Sequence, residues 1–171
     1  MEKKLLIIGA GGHGKVAKDV ALSMMVNGKN LYKEVAFLDD TMEDAVGKIS
    51  DLESLYSKYD EVFVAIGNNQ LRKNLCEKIE QTEIELATLI HSTAYVSPTA
   101  TIEEGTIVGP RCLINSHAIV KKGCIVSIGA IIDHDAILEE FSHANTGAIC
   151  CAGSILESER KTVAGEILKG Y

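Results

Sequence analysis

The chain has 171 residues, with 17 Lys and Arg against 24 Asp and Glu and a formal net charge of −7. That balance, with no basic block, argues against a nucleic-acid or anionic-membrane partner, and the apolar run near the N-terminus stops in glycine too soon for an export signal or a membrane span. A cytoplasmic protein is expected, its five cysteines reduced because none forms a CxxC pair.

The first predicted strand runs from Lys4 to Ile8 and ends in Gly9; a helix-compatible stretch follows from about Gly12 to Met25. A second strand, Val35 to Leu38, ends in Asp39 and Asp40. Ser50 and Glu53 have the spacing of a capping box and open a short predicted helix over 51–59. A third strand over 61–67 leads into a helix for which Asn68 or Asn69 is the predicted N-cap. Strand and helix in alternation predict a small parallel α/β sheet over residues 1–87.

Gly9, Gly11 and Gly14 satisfy GxGxxG between the first strand and the first helix, so backbone N–H groups from Gly9 to Gly14 can hold a phosphate at a helix N-terminus. Asp39 stands where a carboxylate reads ribose hydroxyls. About 87 residues leave no second mononucleotide half for a nicotinamide, so a single nucleotide diphosphate is the expected occupant. Gly67, Asn68 and Asn69 lie at the carboxyl end of the third strand, the usual crevice of such sheets.

From Ile90 the period changes. Every sixth residue from Ile90 through Leu156 is aliphatic or small, and every sixth residue from Thr88 through Ser154 is small, with Cys112, Cys124 and Cys150 among these places. One inward aliphatic and one cramped position per hexad fit neither a helix nor a flat hairpin sheet. They fit a prism of short parallel strands over 88–157, three hexads to an 18-residue coil, followed by a shortened tail, 158–171. His134 then stacks between Ser116 and Ala152, about 4.8 Å from each, and His143 lies half a coil away on another face. The spacings of nine and seventeen between His117, His134 and His143 provide no local metal chelate.

Taken together, the segments IIGAGGHGKVAKDVA, FLDD, AIGNNQLR, LIH and DHDAILEEFSHANTGA, with the hexads, resemble the hexapeptide-repeat sugar acetyltransferases of the sialic-acid and bacillosamine pathways, over roughly residues 3–157. The resemblance implies a Rossmann-like nucleotide-sugar domain followed by a left-handed parallel β-helix; the general rule for parallel crossovers would give a right-handed one. It implies a homotrimer with active sites between subunits, acetyl-CoA as co-substrate and no metal. Within Asp133-His134-Asp135 it makes His134 the general base and Asp135 its supporting acid, and it places His143 near the thioester. The Ala152 N–H, one coil from His134, is the expected oxyanion donor. The resemblance also puts the uridine nucleotide of a UDP-sugar on the glycine loop (Gly9, Gly11, Gly12, Gly14) and the Asp39–Asp40 pair, and turns His13 toward the acceptor sugar.

The chain departs from the family pattern at 126–129 (VSIG), at 138–140 (LEE) and after Leu156, where Arg160 and Thr162 fall on repeat positions and no G-x-P-A-K-like segment follows. The leading expectation is therefore acetyl transfer to the amine or hydroxyl of a nucleotide-activated amino sugar. The alternative from another class is a trimeric nucleotide-sugar scaffold whose coenzyme site is lost, and a third is a sensor of NAD.

Overall fold

The computed structural model describes residues 2–171, which divide into two compact units at Ala87 and Thr88. In the first unit, β1 (Lys3–Ile8) is followed by α1 (Gly12–Ser23), β2 (Met25–Val26), β3 (Lys29–Asn30), β4 (Tyr32–Leu38), α2 (Leu52–Leu55), β5 (Glu61–Val64), α3 (Asn69–Ile79) and β6 (Glu85–Leu86). The main sheet has the order β4-β1-β5-β6, all parallel. Leu5, Leu6, Ile7 and Ile8 are fully buried, which is why β1 reads as a continuous aliphatic run: a strand covered on both faces has no polar alternation. Ile8 pairs with both Leu38 and Val64. The three strands therefore end level and hand over to loops beginning at Gly9, Asp39 and Ala65. The crossovers leave β1 in opposite directions, and the crevice at the carboxyl ends of such strands is where open parallel sheets bind ligands.

The first unit departs from the sequence pattern in strand bounds, since β4 begins at Tyr32 and β5 ends at Val64, and in two connections. α1 stops at Ser23 because Asn27 and Gly28 take φ of 52° and 76° and fold β2 back on β3 as a two-residue hairpin. Near Ser50 and Glu53, the Asp51 carboxylate is what accepts the Lys48 N–H, at 2.9 Å, because the segment opens as a tight 3-10 turn over Ile49–Asp51.

The second unit is a left-handed parallel β-helix. Two-residue strands recur every six residues from Leu89–Ile90 to Ile155–Leu156, and each stacks on the strand eighteen residues away, giving three parallel sheets. In each strand one side chain points inward. Val108, Ile114, Val120, Val126, Ile132, Leu138 and Leu156 are fully buried, as are Ala118, Ala130, Ala136 and Ala148 where the chain turns. Cys112, Cys124 and Cys150 are buried in the same core, where they pack; burial raises the thiol pKa of Cys112, and that of Cys150 to about 11, which keeps those two from acting as nucleophiles.

The prism does not end at Glu157. Lys161 bridges to His143, Ile167–Leu168 pairs with Ile149–Cys150, and Thr162 and Leu168 occupy the next two inward places, 1% and 7% exposed. Segment 158–171, expected as a shortened tail, carries the winding on. Thr162 interrupts the aliphatic pattern, but its hydroxyl accepts the Asn145 N–H at 2.8 Å, which lets a polar side chain sit inside. No helix among the described residues is long and apolar enough to cross a membrane.

Candidate active site

The turn after Ile132 holds the histidine of the Asp-His-Asp motif. Asp135 adopts φ 59°, and its Oδ2 lies 2.8 Å from His134 Nδ1. An ionised carboxylate only accepts, so this contact fixes the proton on Nδ1 and leaves the Nε2 lone pair as the ring's basic site. Both side chains are about half exposed, 46% and 52%. The hydrogen bond to Asp135 raises the His134 pKa above its ordinary value, with the charges of Asp133 and Asp135 adding to it, and the same bond lowers that of Asp135. Asp133 plays a different part, because its Oδ1 accepts from Asn115 Nδ2 at 2.9 Å and from the His134 N–H at 2.7 Å, and the Asn115 bond holds its carboxyl below the usual range. It fixes the backbone that carries the histidine.

One coil beyond, the Gly153 N–H donates to the His134 carbonyl at 3.1 Å, which sets Ala152 beside the pair; no hydrogen bond engages the Ala152 N–H among the described residues. His143 lies in a different sheet, with Ile107 and Ile125, and is only 6% exposed. Its Nε2 is 2.9 Å from Ser127 Oγ. The two histidines expected to serve one reaction are thus not brought together within the β-helix.

In the first unit, Gly14 is required by packing: a Cβ there would lie 2.0 Å from the Gly9 carbonyl oxygen. Gly11 and Gly12 are different, since a Cβ at either meets nothing within 4 Å, so internal packing does not call for glycine there. α1 starts on Gly11 without a side-chain cap. Asp39 Oδ2 accepts the Ala10 N–H at 2.8 Å, and Oδ1 accepts the Thr41 N–H and hydroxyl, both at 2.8 Å, and the Met42 N–H at 3.0 Å. These bonds, that from Ala10 foremost, lower its pKa to about 2. Asp39 therefore ties the glycine loop to the next one and has little capacity left for a ribose. Asp40 accepts the Ile49 N–H at 2.9 Å. His13 turns its ring toward Phe63 of β5, 6.5 Å away. Asn68 caps α3 through the Leu71 N–H at 2.9 Å, beside Gly67. Asn69 Oδ1 accepts from Arg72 at 2.9 Å. Among the described residues no three His, Cys, Asp or Glu gather as metal ligands.

Residues 4–79 match the model of the PglD N-terminal domain family. The acetyltransferase domain of PglB from Neisseria gonorrhoeae is 33% identical, with 97% of this chain and 82% of that one covered at a TM-score of 0.91. The chain belongs to the hexapeptide-repeat sugar acetyltransferase family. The same Neisseria domain was also solved in complex with acetyl coenzyme A, at 32% identity over 98% of this chain and 82% of that one, TM-score 0.91. A mutant perosamine N-acetyltransferase from Caulobacter crescentus, in complex with CoA and GDP-perosamine, is 28% identical, with 92% and 76% covered and a TM-score of 0.84. UDP-N-acetylbacillosamine N-acetyltransferase of Bacillus subtilis is 33% identical over 114 residues, 60% of this chain but only half of that protein's length.

Sequence reasoning overlooked four residues at these sites of the sugar acetyltransferase fold. Asn115 and Tyr171 stand eighteen and thirty-six residues from Asp133 and Asp135, so extending the coil count in both directions would have found them. Ser127 was legible only as a departure from the family pattern. Arg72, fully buried, donates to the Ile66 carbonyl at 3.0 Å as well as to Asn69; a charged residue in the first turn of a predicted helix gave no sign that it would hold the preceding loop.

Proposed function

We propose that the chain transfers an acetyl group from acetyl-CoA to the amino group of a nucleotide-activated sugar, with His134 as general base. The observation that carries this reading is the Asp135–His134 pair: a tautomer fixed through Nδ1, with the basic Nε2 left for a substrate proton. The sugar amine nitrogen attacks the thioester carbonyl carbon, so that a C–N bond forms and the C–S bond breaks. The proton lost by the amine passes to His134 Nε2, Asp135 stabilises the resulting imidazolium, and the proton then goes to the departing thiolate. The products are the acetamido sugar and CoA, with His134 neutral again. In this reading the Ala152 N–H supports the developing oxyanion.

His143 reaches the thioester only if the assembly opens its face, and a homotrimer with sites between subunits supplies a neighbour that could bring the two histidines to one site. Gly11, Gly12 and the uncapped start of α1 support a nucleotide diphosphate, because open space above these glycines lets phosphate oxygens approach backbone N–H groups. Asp39 shapes that loop, and Asp40, Gly67, Asn68 and Asn69 border the same strand ends. The scaffold alternative drew on a prism cut short at Glu157; winding that continues to Leu168 weighs against it, and the experiment below decides between the two.

The test is mass spectrometry of UDP-4-amino sugars and GDP-perosamine incubated with acetyl-CoA and the protein, wild type beside His134→Ala. An acetylated product made by the wild type and lost in the variant supports the reading. Product made equally by the variant removes His134 from the chemistry; no product from the wild type, with coenzyme binding undetectable, makes the scaffold the better description.

A further inference from the structure

Thr99, His117, Asp135, Gly153 and Tyr171 form one corner column of the prism, spaced by eighteen residues. His117, Asp135 and Gly153 turn that corner with φ of 59°, 59° and 68°. Gly153 leaves its place in the column empty of side chain, and the Tyr171 ring fills it: a Cβ built on Gly153 would lie 2.0 Å from Tyr171 Cε1. The same device occurs once more in the β-helix, where a Cβ on the corner glycine Gly123 would lie 2.3 Å from Cε1 of Phe141, again eighteen residues on. Phe141 is buried, 2% exposed, and has no hydroxyl. Tyr171 carries a hydroxyl, which donates at 3.5 Å to Asp135 Oδ2, the same oxygen that accepts the His134 Nδ1 proton. Its ring lies 6.5 Å from the imidazole, tilted by 57°.

We propose that Tyr171 is a positioning residue for His134: reaching past Gly153, it holds the Asp135 carboxylate and shares the oxygen that fixes the imidazole. Its catalytic meaning rests on the acetyl-transfer reading, whereas its effect on the imidazole does not. Asp133, Asp135 and Tyr171 face His134, and His117 faces Asp135 from the coil below. A second donor on Oδ2 draws charge away from the His134 bond. Removing the hydroxyl therefore strengthens the grip of Asp135 on the protonated ring and raises the His134 pKa. Tyr171 as a whole residue is 89% exposed, so solvent screening keeps the shift small.

The experiment is an NMR titration of the histidine Cε1 protons in the intact protein, with His134→Gln assigning the resonance. Tyr171→Phe keeps the ring and should raise the His134 pKa. Gly153→Asn keeps a residue type tolerant of the left-handed corner but evicts the ring, and should give the same shift. The double variant should shift no further than either single one. A His134 pKa in Tyr171→Phe equal to that of the wild type overturns the proposal, as does full additivity in the double variant. Acetyl transfer measured alongside separates the two questions: an inactive wild type whose His134 still responds to Tyr171→Phe rejects the enzyme reading and keeps the contact. In an active enzyme, the alkaline shift of the kcat profile should appear without a change in KM.

Discussion

Gly14→Ala tests how the nucleotide loop is built. The added Cβ would lie 2.0 Å from the Gly9 carbonyl oxygen and 2.9 Å from the Gly9 carbonyl carbon, where real Cβ contacts stay beyond 3.0 Å. α1 must therefore lift by about 1 Å, and both sides of the clash are backbone, so no side chain can swing away. Ala17, Val20 and Ala21 bury the same helix against the sheet and lose contact as it lifts. Overpacking of this kind costs about 2–3 kcal/mol, and for a unit of this size that lowers the melting temperature by roughly 10–20 °C. The control is Gly12→Ala, whose Cβ meets nothing within 4 Å. There the better helix former leaves stability unchanged or slightly higher, while nucleotide-sugar binding should weaken at least about tenfold if phosphate oxygens occupy that space. Thermal unfolding followed by circular dichroism reads the first effect and isothermal titration with UDP-sugar or GDP-sugar the second. Wild-type melting in Gly14→Ala would refute the packing account; unchanged binding in Gly12→Ala would remove the loop from the nucleotide site.

Asp135→Asn should lower kcat by roughly tenfold to a hundredfold, less than in a buried triad because the pair is half exposed. Since Asp135 raises the His134 pKa, wild-type activity should climb with pH through a midpoint above 6.5, and the variant should reach its lower plateau at lower pH; a profile that does not move refutes the coupling. Asp39→Ala should release the Ala10, Thr41 and Met42 N–H groups together and weaken nucleotide-sugar binding without touching the ligand. Because its folded pKa is depressed to about 2 from 3.8, Asp39 contributes stability that is present above pH 3.8 and lost as the pH falls toward 2. Acid unfolding of the variant should accordingly show a shallower dependence in that window.

The β-helix was legible because a small set of rules recurs many times: one aliphatic and one small residue per hexad, buried in the prism from Val108 onward. The Asp-His-Asp motif was singled out by resemblance; its neighbours Asn115 and Tyr171 stand at fixed multiples of the coil and were within reach of the same count, but were overlooked. The outer limit of the prism was misjudged at Thr162 because composition shows a polar residue and not the Asn145 N–H that satisfies it. The first unit was legible in its strands, whose buried runs are unmistakable, and less so in its connections. The Asn27–Gly28 hairpin carried a strong local turn signal just beyond the helix expected to end near Met25, and it was not read. Asp39 looked like a ligand-reading carboxylate because sequence shows a charge after a strand but not the four donors already committed to it.

The winding obeys two clocks that tick at different rates. Any insertion of six residues keeps every aliphatic side chain inward, so the core accepts it and folding has no means to reject it. Yet six residues advance everything downstream by one face, and only eighteen restore it. Such an insertion between Asp135 and Gly153 would leave a well-packed prism in which Tyr171 no longer stands above Asp135 and the Gly153 N–H no longer meets the His134 carbonyl. Stability measurements are blind to that slip, and the counting of whole turns is kept by the site alone.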